Sequence, residues 1–511
     1  MRDTDDLQTT VTLSPVNRQG QVLSRELQLQ MTVPMPPQDE HLPDQIEVFV
    51  PQAGLELPRR LFQVLIEKAD QELVLQQRHG KGGAGIQCRG TRPFTFKTRF
   101  GEVTVRRSRI CHKSDESMET PSARVWKTPH QLAITENLRA AVCDQMSDQA
   151  VGKSLIDVCQ YAGDPDLLGR GTILAIVHQE GERLIAAQRQ RARSILDDAS
   201  EAQLALLGPP AADALVEEPS AVPPCDDSEE AQAEWEPVQA EWAATGFPGG
   251  EPALPVAWDQ PREVDPGSVI VERDEVKTKA QPSTGRKEVW TFTAVVLVAG
   301  WRSTFAEATP EGLWLQVGAL LLELGVGSGA RRLLVLGDGA SWIRTWFAGL
   351  GIAPKAMIVC WWHLRKRCDE SMSTAGGPKD RRRAFEKELP GQLWEGKVDA
   401  ALELLRGALE WVRTPKAVAD LIGSLEKRRA FLPDSQERQR VGLWIASTRV
   451  EKFNDWAVSD RCKHRGMSGS PKGVSALAAL EAARRNGERE RWRQDRELPE
   501  RKLPEPIQRV A

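Results

Sequence analysis

Leu333-Leu-Val-Leu-Gly-Asp-Gly-Ala340 runs an apolar segment into a carboxylate held between two glycines. The run predicts a buried strand with Asp338 at its tip, and the glycines leave room for a metal ion and a phosphate to approach the backbone. Gly-Asp-Gly is also common in plain turns, so its neighbours must decide. Ser341-Trp-Ile-Arg-Thr-Trp-Phe-Ala-Gly-Leu-Gly351 carries apolar residues at helical spacing and stops at a glycine. A second apolar run, Ala356-Met-Ile-Val-Cys-Trp-Trp-His363, follows and leads into the basic turn Leu364-Arg-Lys-Arg367. Strand, helix, strand reads as one parallel crossover, with Asp338 at the carboxyl end of its first strand, where open α/β sheets bind ligands.

Upstream, Ser268-Val-Ile-Val-Glu-Arg-Asp-Glu-Val-Lys277, Glu288-Val-Trp-Thr-Phe-Thr-Ala-Val-Val-Leu-Val298 and Arg302-Ser-Thr-Phe-Ala-Glu-Ala308 read as three successive strands, and residues 311–324 as a helix. Three antiparallel-type strands, a helix, then two strands around a helix is the element order of an RNase H-like domain. The expected fold class is therefore α/β, an RNase H-like mixed sheet with flanking helices. In that arrangement the first and fourth strands are neighbours, so Asp274 should face Asp338. Residues 364–440 read as an all-helical insertion. Residues 447–458 then open a helix with a Ser or Thr cap and supply a third acid, Glu451, and residues 476–485 end the ordered region.

The 511 residues, 40% hydrophobic and 27% charged, describe a globular chain with room for two or three domains. No apolar run is long enough for a membrane helix and the polar start lacks a signal-peptide core, so a cytoplasmic protein is expected. The eight cysteines contain no Cys-x-x-Cys pair. Cys88, Cys111 and His112 are read as plain side chains in preference to metal ligands. The net charge of -4 hides opposed segments: residues 201–265 are rich in acids, alanine and proline, whereas residues 89–113, 365–383, 427–440 and 449–472 are dense in Arg and Lys.

In the amino-terminal half, residues 1–50 are polar and Pro-rich and read as an extended or disordered arm. Residues 51–190 read as an α+β DNA-binding region. A helix over 57–77 and a break at Gly80-Lys-Gly-Gly-Ala-Gly85 precede an alternating hairpin around Phe100-Gly-Glu102. That hairpin would have one basic face bearing Arg99, Arg106, Arg107 and Arg109, equally readable as a solvated surface or as phosphate contacts. Helices over 147–161 and 170–184, joined by a turn at 162–166, suit a helix-turn-helix presenting Arg170, Thr172 and His178. Residues 191–265 read as a helix and an acidic linker, 266–363 and 441–485 as the two parts of the core, and 486–511 as a charged tail.

Three acids at strand and helix ends suit a pair of divalent cations, which need several carboxylate oxygens around them. Around Glu451, Lys452, Asn454, Arg461, Lys463 and Arg465 are placed to flank a nucleic-acid backbone. The chemistry expected is phosphodiester cleavage and strand transfer with Mg²⁺, or Mn²⁺ in its place.

Leu336-Gly-Asp-Gly-Ala-Ser-Trp-Ile343, Trp361-Trp-His-Leu364, and Val450-Glu451 followed by Arg461-Cys-Lys-His-Arg-Gly-Met467 resemble the ISKra-type bacterial insertion-sequence transposases, a DDE class with an RNase H-like core. Thr98-Arg-Phe-Gly-Glu-Val-Thr-Val-Arg-Arg107 is similar to a segment of that family's amino-terminal region. The likeness covers most of residues 51–485, with the acidic linker outside it. It implies a catalytic triad of Asp274, Asp338 and Glu451, a helical insertion before the last catalytic helix, recognition of transposon-end DNA, and a homo-oligomer on DNA.

The chain departs from the family pattern at three places. Asp274 precedes Glu275 instead of glycine, Cys360-Trp-Trp-His363 replaces Asp-Trp-Tyr-His, and Ala446-Ser-Thr448 replaces Gly-Ser-Gly. His363 is read as packing under the tryptophan pair or as orienting a scissile phosphate, and Trp456 as core or as a stacking platform for bases. The alternatives to an active transposase are a DNA-binding derivative without catalysis and an RNase H-type nuclease.

Overall fold

The computed structural model describes residues 10–18, 21–32, 42–79, 86–113, 116–127, 132–208, 267–327, 331–463 and 469–504. The chain is mixed α/β and divides into two compact units, Met1–Glu180 and Gly181–Ala511. Among the described residues, no helix is long and apolar enough to cross a membrane. The Gly80–Gly85 break, the acidic linker and Arg465 lie outside the described residues.

In the first unit, β1 (Thr10–Arg18) and β2 (Gln21–Thr32) pair antiparallel, so part of the segment expected to be an extended or disordered arm is a paired hairpin. Leu27, Leu29 and Met31 alternate with Gln28 and Gln30, a period-two pattern that outweighs the nearby prolines. Helix α1 (Leu42–His79) is longer than expected and carries Pro51 and Pro58 inside it. A four-stranded sheet follows in the order β5-β4-β3-β6, from β3 (Ile86–Thr98), β4 (Gly101–His112), β5 (Met118–Glu119) and β6 (Leu132–Ile134). The β3–β4 turn falls at Arg99-Phe100, at the leading edge of the expected Phe100-Gly-Glu102, and Gly101, at φ +103°, already opens β4.

Phe62 and Ile66 of α1 pack on Phe94, Phe96, Val103 and Val105 of the hairpin. Glu67 and Asp70 of α1 accept hydrogen bonds from the backbone N–H groups of Arg106 and Ser108, at 2.8 and 2.7 Å. These two carboxylates satisfy donors along β4 that no strand reaches, which protects the sheet edge. After α2 (Pro121–Val125) come α3 (Glu136–Asp148), α4 (Val151–Tyr161) and α5 (Arg170–Asp197). The expected helix pair is therefore shifted. Ser147 closes α3, its hydroxyl bonded back to the Cys143 carbonyl at 2.9 Å, and α5 runs thirteen residues beyond the predicted end at 184.

In the second unit, after α6 (Glu201–Leu207), a five-stranded sheet forms from β7 (Ser268–Lys279), β8 (Glu288–Val298), β9 (Trp301–Glu307), β10 (Arg332–Gly337) and β11 (Lys355–Val359). Its order is β11-β10-β7-β8-β9. The pairs β7–β8 and β8–β9 are antiparallel, and β10 runs parallel to both β7 and β11. One face is covered by α7 (Pro310–Glu323) and α8 (Ser341–Gly349), where Val269, Val271, Val335, Leu313, Val317, Ile343 and Trp346 share a core. The other face carries Ile270, Val276, Val295 and Leu336 against Val450, Phe453, Val474 and Ala478.

The apolar run at 356–363 is not one strand. It ends at Val359, and Trp361 opens α9 (Trp361–Ala375). The backbone N–H of Cys360 still bonds the Gly337 carbonyl of β10 at 2.8 Å, while that of Trp361 bonds the Ile445 carbonyl instead, which turns the chain out of the sheet. Helices α9, α10 (Lys379–Trp394), α11 (Val398–Ala408) and α12 (Pro415–Arg428) enclose their own core around Trp361, Trp394, Leu402 and Leu421. The chain continues through α13 (Ser435–Arg440) to α14 (Thr448–Asn454). A single π turn at Asp455–Ser459 and the short α15 (Asp460–Cys462) precede α16 (Pro471–Arg485) and α17 (Arg489–Asp495).

Candidate active site

In the middle of strand β7, after the apolar run Val269-Ile-Val271, stand four consecutive charged residues, Glu272-Arg-Asp-Glu275, all buried or nearly so. Side chains alternate across a strand, so Glu272 and Asp274 point with Ile270 and Val276 toward α14, and Arg273 and Glu275 point with Val271 toward α8. Each has a specific partner. Glu272, fully buried, accepts the backbone N–H groups of Arg449 and Val450, both at 2.8 Å, and so caps the first turn of α14. Ser447, expected to be the cap, makes no side-chain cap bond. Arg273 is held between the rings of Trp342 and Trp346, 4.4 and 4.1 Å from their centroids. Glu275 accepts the indole N–H of Trp342 at 2.6 Å.

The cap aims α14 so that Glu451 meets Asp274. Ligand atoms of Asp274, Glu451 and His363, from the first turn of α9, all lie within 4.8 Å of one another. His363 Nε2 stands 2.9 Å from Glu451 Oε1. Asn454 donates to Asp274 Oδ2 at 2.6 Å, and its own carbonyl oxygen accepts from the Thr293 hydroxyl at 2.6 Å. Asn454 is 3% exposed. The expectation that it contacts a nucleic-acid backbone is therefore wrong, because one turn of helix beyond Glu451 faces the sheet.

Like charges share this space. Burial first, then the neighbouring Glu451 carboxylate, holds the Asp274 pKa well above the usual carboxylate range, with Glu275 and Asp338 adding to the effect. Glu275 is pushed up to about 8 by burial and by Asp338, and Glu272 to about 8 by burial. Burial would pull His363 down, but the Cys360 thiol and Glu451 outweigh it and leave its pKa well above the usual imidazole value. Burial would likewise raise Cys360, and the adjacent His363 reverses the sign and lowers it. Cys360 thus fills the position beside His363 with a polarised thiol, whose sulfur accepts the Ser447 backbone N–H at 3.3 Å.

Asp338 is not part of the three-residue cluster. It follows β10, which pairs with β7 in a register matching Leu336 to Glu272. Continuing that register by two residues sets Asp338 level with Asp274, and its charge raises both Asp274 and Glu275. One carboxylate oxygen accepts the Ala340 N–H at 2.7 Å. The flanking glycines have more local roles than the open approach expected of them. A Cβ at Gly337 would meet the Arg273 carbonyl oxygen at 3.0 Å, and Gly339, at φ +78°, would meet Arg428 Nε at 2.7 Å. One lets two strands close up, and the other admits an arginine from α12.

Two carboxylates and an imidazole are a donor set for a divalent cation, and the site fits one by a second observation. Asp274 and Glu451 repel one another across a buried space in which the facing group is His363 Nε2, 2.9 Å from Glu451 Oε1, and a cation would relieve that repulsion. Oxygen donors suit Mg²⁺ and Mn²⁺, and the imidazole shifts preference toward Mn²⁺.

The remaining expected contacts scatter. Lys452 and Lys463 are exposed and Arg461 is half-buried on the last helices. Trp456 is covered by Arg485, whose guanidinium lies 3.3 Å from its ring centroid, which leaves little of a base-stacking platform. In the first unit Arg99, Arg106, Arg109 and Arg170 are exposed and Thr172 and His178 half-buried, but Arg107 is 6% exposed and stacks 3.9 Å over Phe94. Arg107 is thus corrected from a DNA contact to a core residue. Strand parity sends it inward with Val103 and Val105 while Arg106 points outward with Glu102 and Thr104, so the hairpin has no single basic face.

Reasoning from sequence gave no role to Glu272, Arg273, Glu275, Cys360 or Arg428, although it marked Glu275 and Cys360 as departures from the family pattern. The signal for the first three was available, since charged residues in an apolar strand must find partners. Compared with protein-family models and with curated protein sequences, the chain matches none.

Proposed function

We propose that this chain is a DDE-type transposase, a polynucleotidyl transferase that cleaves DNA and joins strands with a divalent cation, built on an RNase H-like core. The observation that carries the reading is the meeting of Asp274, in the middle of the central strand β7, with Glu451, level with Asp338 just past the end of the neighbouring parallel strand β10. The sheet order, in chain sequence third-second-first-fourth-fifth, is the order expected of an RNase H-like domain. Of the segments that resemble ISKra-type transposases, Leu336–Ile343 runs from β10 into α8, Trp361–Leu364 opens α9, and Val450-Glu451 lies on α14.

In this reading Asp274, Glu451 and His363 would hold the cation, and the nearby Asp338 would add negative charge. When bound, the cation supplies positive charge that acidifies a water or 3′-hydroxyl and stabilises the leaving oxygen. The protein's own work is positional. Asn454 fixes one Asp274 oxygen, Glu272 fixes the helix carrying Glu451, and the Trp342–Glu275 bond ties α8 to the strand end. The test is metal-dependent nicking of DNA carrying the inverted repeats that flank the coding region. Asp338→Asn and Glu451→Gln are expected to abolish nicking and preserve binding. Normal nicking by either variant refutes the reading.

One observation favours the rival, a DNA-binding derivative without catalysis. Cys360 stands where the family has an acid, so the site holds one carboxylate fewer. Wild-type protein that binds the repeats yet nicks them with neither Mg²⁺ nor Mn²⁺ would establish it.

A further inference from the structure

Three guanidinium groups gather beside the Asp338 turn. Arg428, from the end of α12, is 9% exposed. Its Nη1 donates to the Ser424 hydroxyl at 2.7 Å and to the Ser424 carbonyl at 3.2 Å, while its Nε is buried with no hydrogen-bond partner. Arg367 of α9 donates to that same Ser424 hydroxyl at 3.1 Å, which draws two like charges onto one neutral oxygen. Arg344 of α8 donates to the Gly339 carbonyl at 3.2 Å and to the Lys427 carbonyl at 3.3 Å. Among the described residues none of the three has an ion pair within 4.0 Å.

Burying a cation is costly unless it is paired, and this fold has made room for one. Gly339 lacks a Cβ where a Cβ would strike Arg428. Burial and the nearby Arg367 press the Arg428 pKa down to about 10, with Asp338 opposing them. The carboxylates in reach are Asp338 and Glu275. Two carboxylates for three guanidiniums, neither of them paired with any of the three, leave the cluster short of negative charge, and Asp338 is also in demand at the metal site.

We propose that Arg428, Arg367 and Arg344 form an anion pocket that grips a backbone phosphate of the nucleic-acid substrate, next to the one that reacts. Guanidinium forks match phosphate geometry and gain from desolvation. The pocket joins three separate elements, α8, α9 and α12, so the helical insertion supplies part of the substrate-binding surface through Arg367 and Arg428. This assignment rests on the nucleic-acid reading of the site.

The test uses the full chain in metal-free buffer, titrated by calorimetry first with inorganic phosphate and then with a short DNA duplex of arbitrary sequence. Arg428→Gln is expected to weaken phosphate binding roughly tenfold or more and duplex binding in the same direction, with an unchanged melting curve. Because Arg428 is buried, Arg367→Gln, at a half-buried position, provides a second variant with the same expected loss. Wild type that binds no phosphate, or variants that bind it as well as wild type, overturn the pocket. Loss of phosphate binding with duplex affinity intact overturns the nucleic-acid assignment and leaves a site for a free anion. A separate Mn²⁺ titration reads the carboxylate cluster: Arg428→Gln should bind the ion as wild type does. Failure of Mn²⁺ binding in wild type would sink the metal reading without touching the phosphate result.

Discussion

His363 is the residue whose role most needs deciding, since it either completes the cation site or merely pairs with Glu451. If it is a ligand, His363→Ala should weaken Mn²⁺ more than Mg²⁺, because the imidazole is the donor that distinguishes the two ions. Competitive calorimetry measures both, and a gain in Mg²⁺ affinity would show that the pair blocks the site. The buried acids make a second, pH-dependent prediction. A group that holds its proton more tightly when folded adds stability at low pH, and that stability is lost as pH climbs from the unfolded pKa to the folded one. For Glu272 and Glu275 the window runs from the ordinary 4.5 to about 8. Without metal, stability should fall as pH rises across it. Glu275→Gln should flatten the fall, read as melting temperature against pH, and an unchanged slope would show that the carboxyl is not raised.

At the scale of elements, β7 and α14 behave as one device. The strand supplies both the acid of the site and the cap of the helix that brings the second acid, through side chains two residues apart on the same face. Glu272→Ala would orphan two buried N–H groups at the start of α14, at a cost of about 1–3 kcal/mol each, offset by relief of burying the carboxyl. Glu272→Gln keeps an acceptor and should be close to neutral. Hydrogen exchange of the peptide spanning Arg449 to Asn454 is the measurement: faster in the Ala variant, near wild type in Gln. Equal protection in both would mean that packing of Val450 and Phe453 alone holds the helix.

At the scale of the whole molecule, the first unit separates exposed arginines such as Arg106 from the buried Arg107. If the hairpin meets DNA, Arg106→Ala should lower the salt slope of duplex binding by about 0.9. Arg107→Ala should leave that slope alone and lower thermal stability by about 1–3 kcal/mol. Equal slopes for the two variants would remove the hairpin from the DNA-binding surface.

The sequence by itself determined the order of elements in the second unit and the site of the β3–β4 turn. Both follow from local quantities: apolar runs of strand length, helical spacing, and a glycine where φ must be positive. Asp338 could be picked out because a carboxylate at the end of an apolar run is locally anomalous, whereas the choice of Asp274 and Glu451 rests on the element order and on the resemblance to a family. Only tertiary structure decided which of them meet, that His363 opens a helix and joins Asp274 and Glu451, that Asn454 turns inward, and that Arg428 reaches the Gly339 turn from eighty-nine residues away in the chain. Those outcomes depend on strand register and on which face each side chain takes, and no window of neighbouring residues contains either.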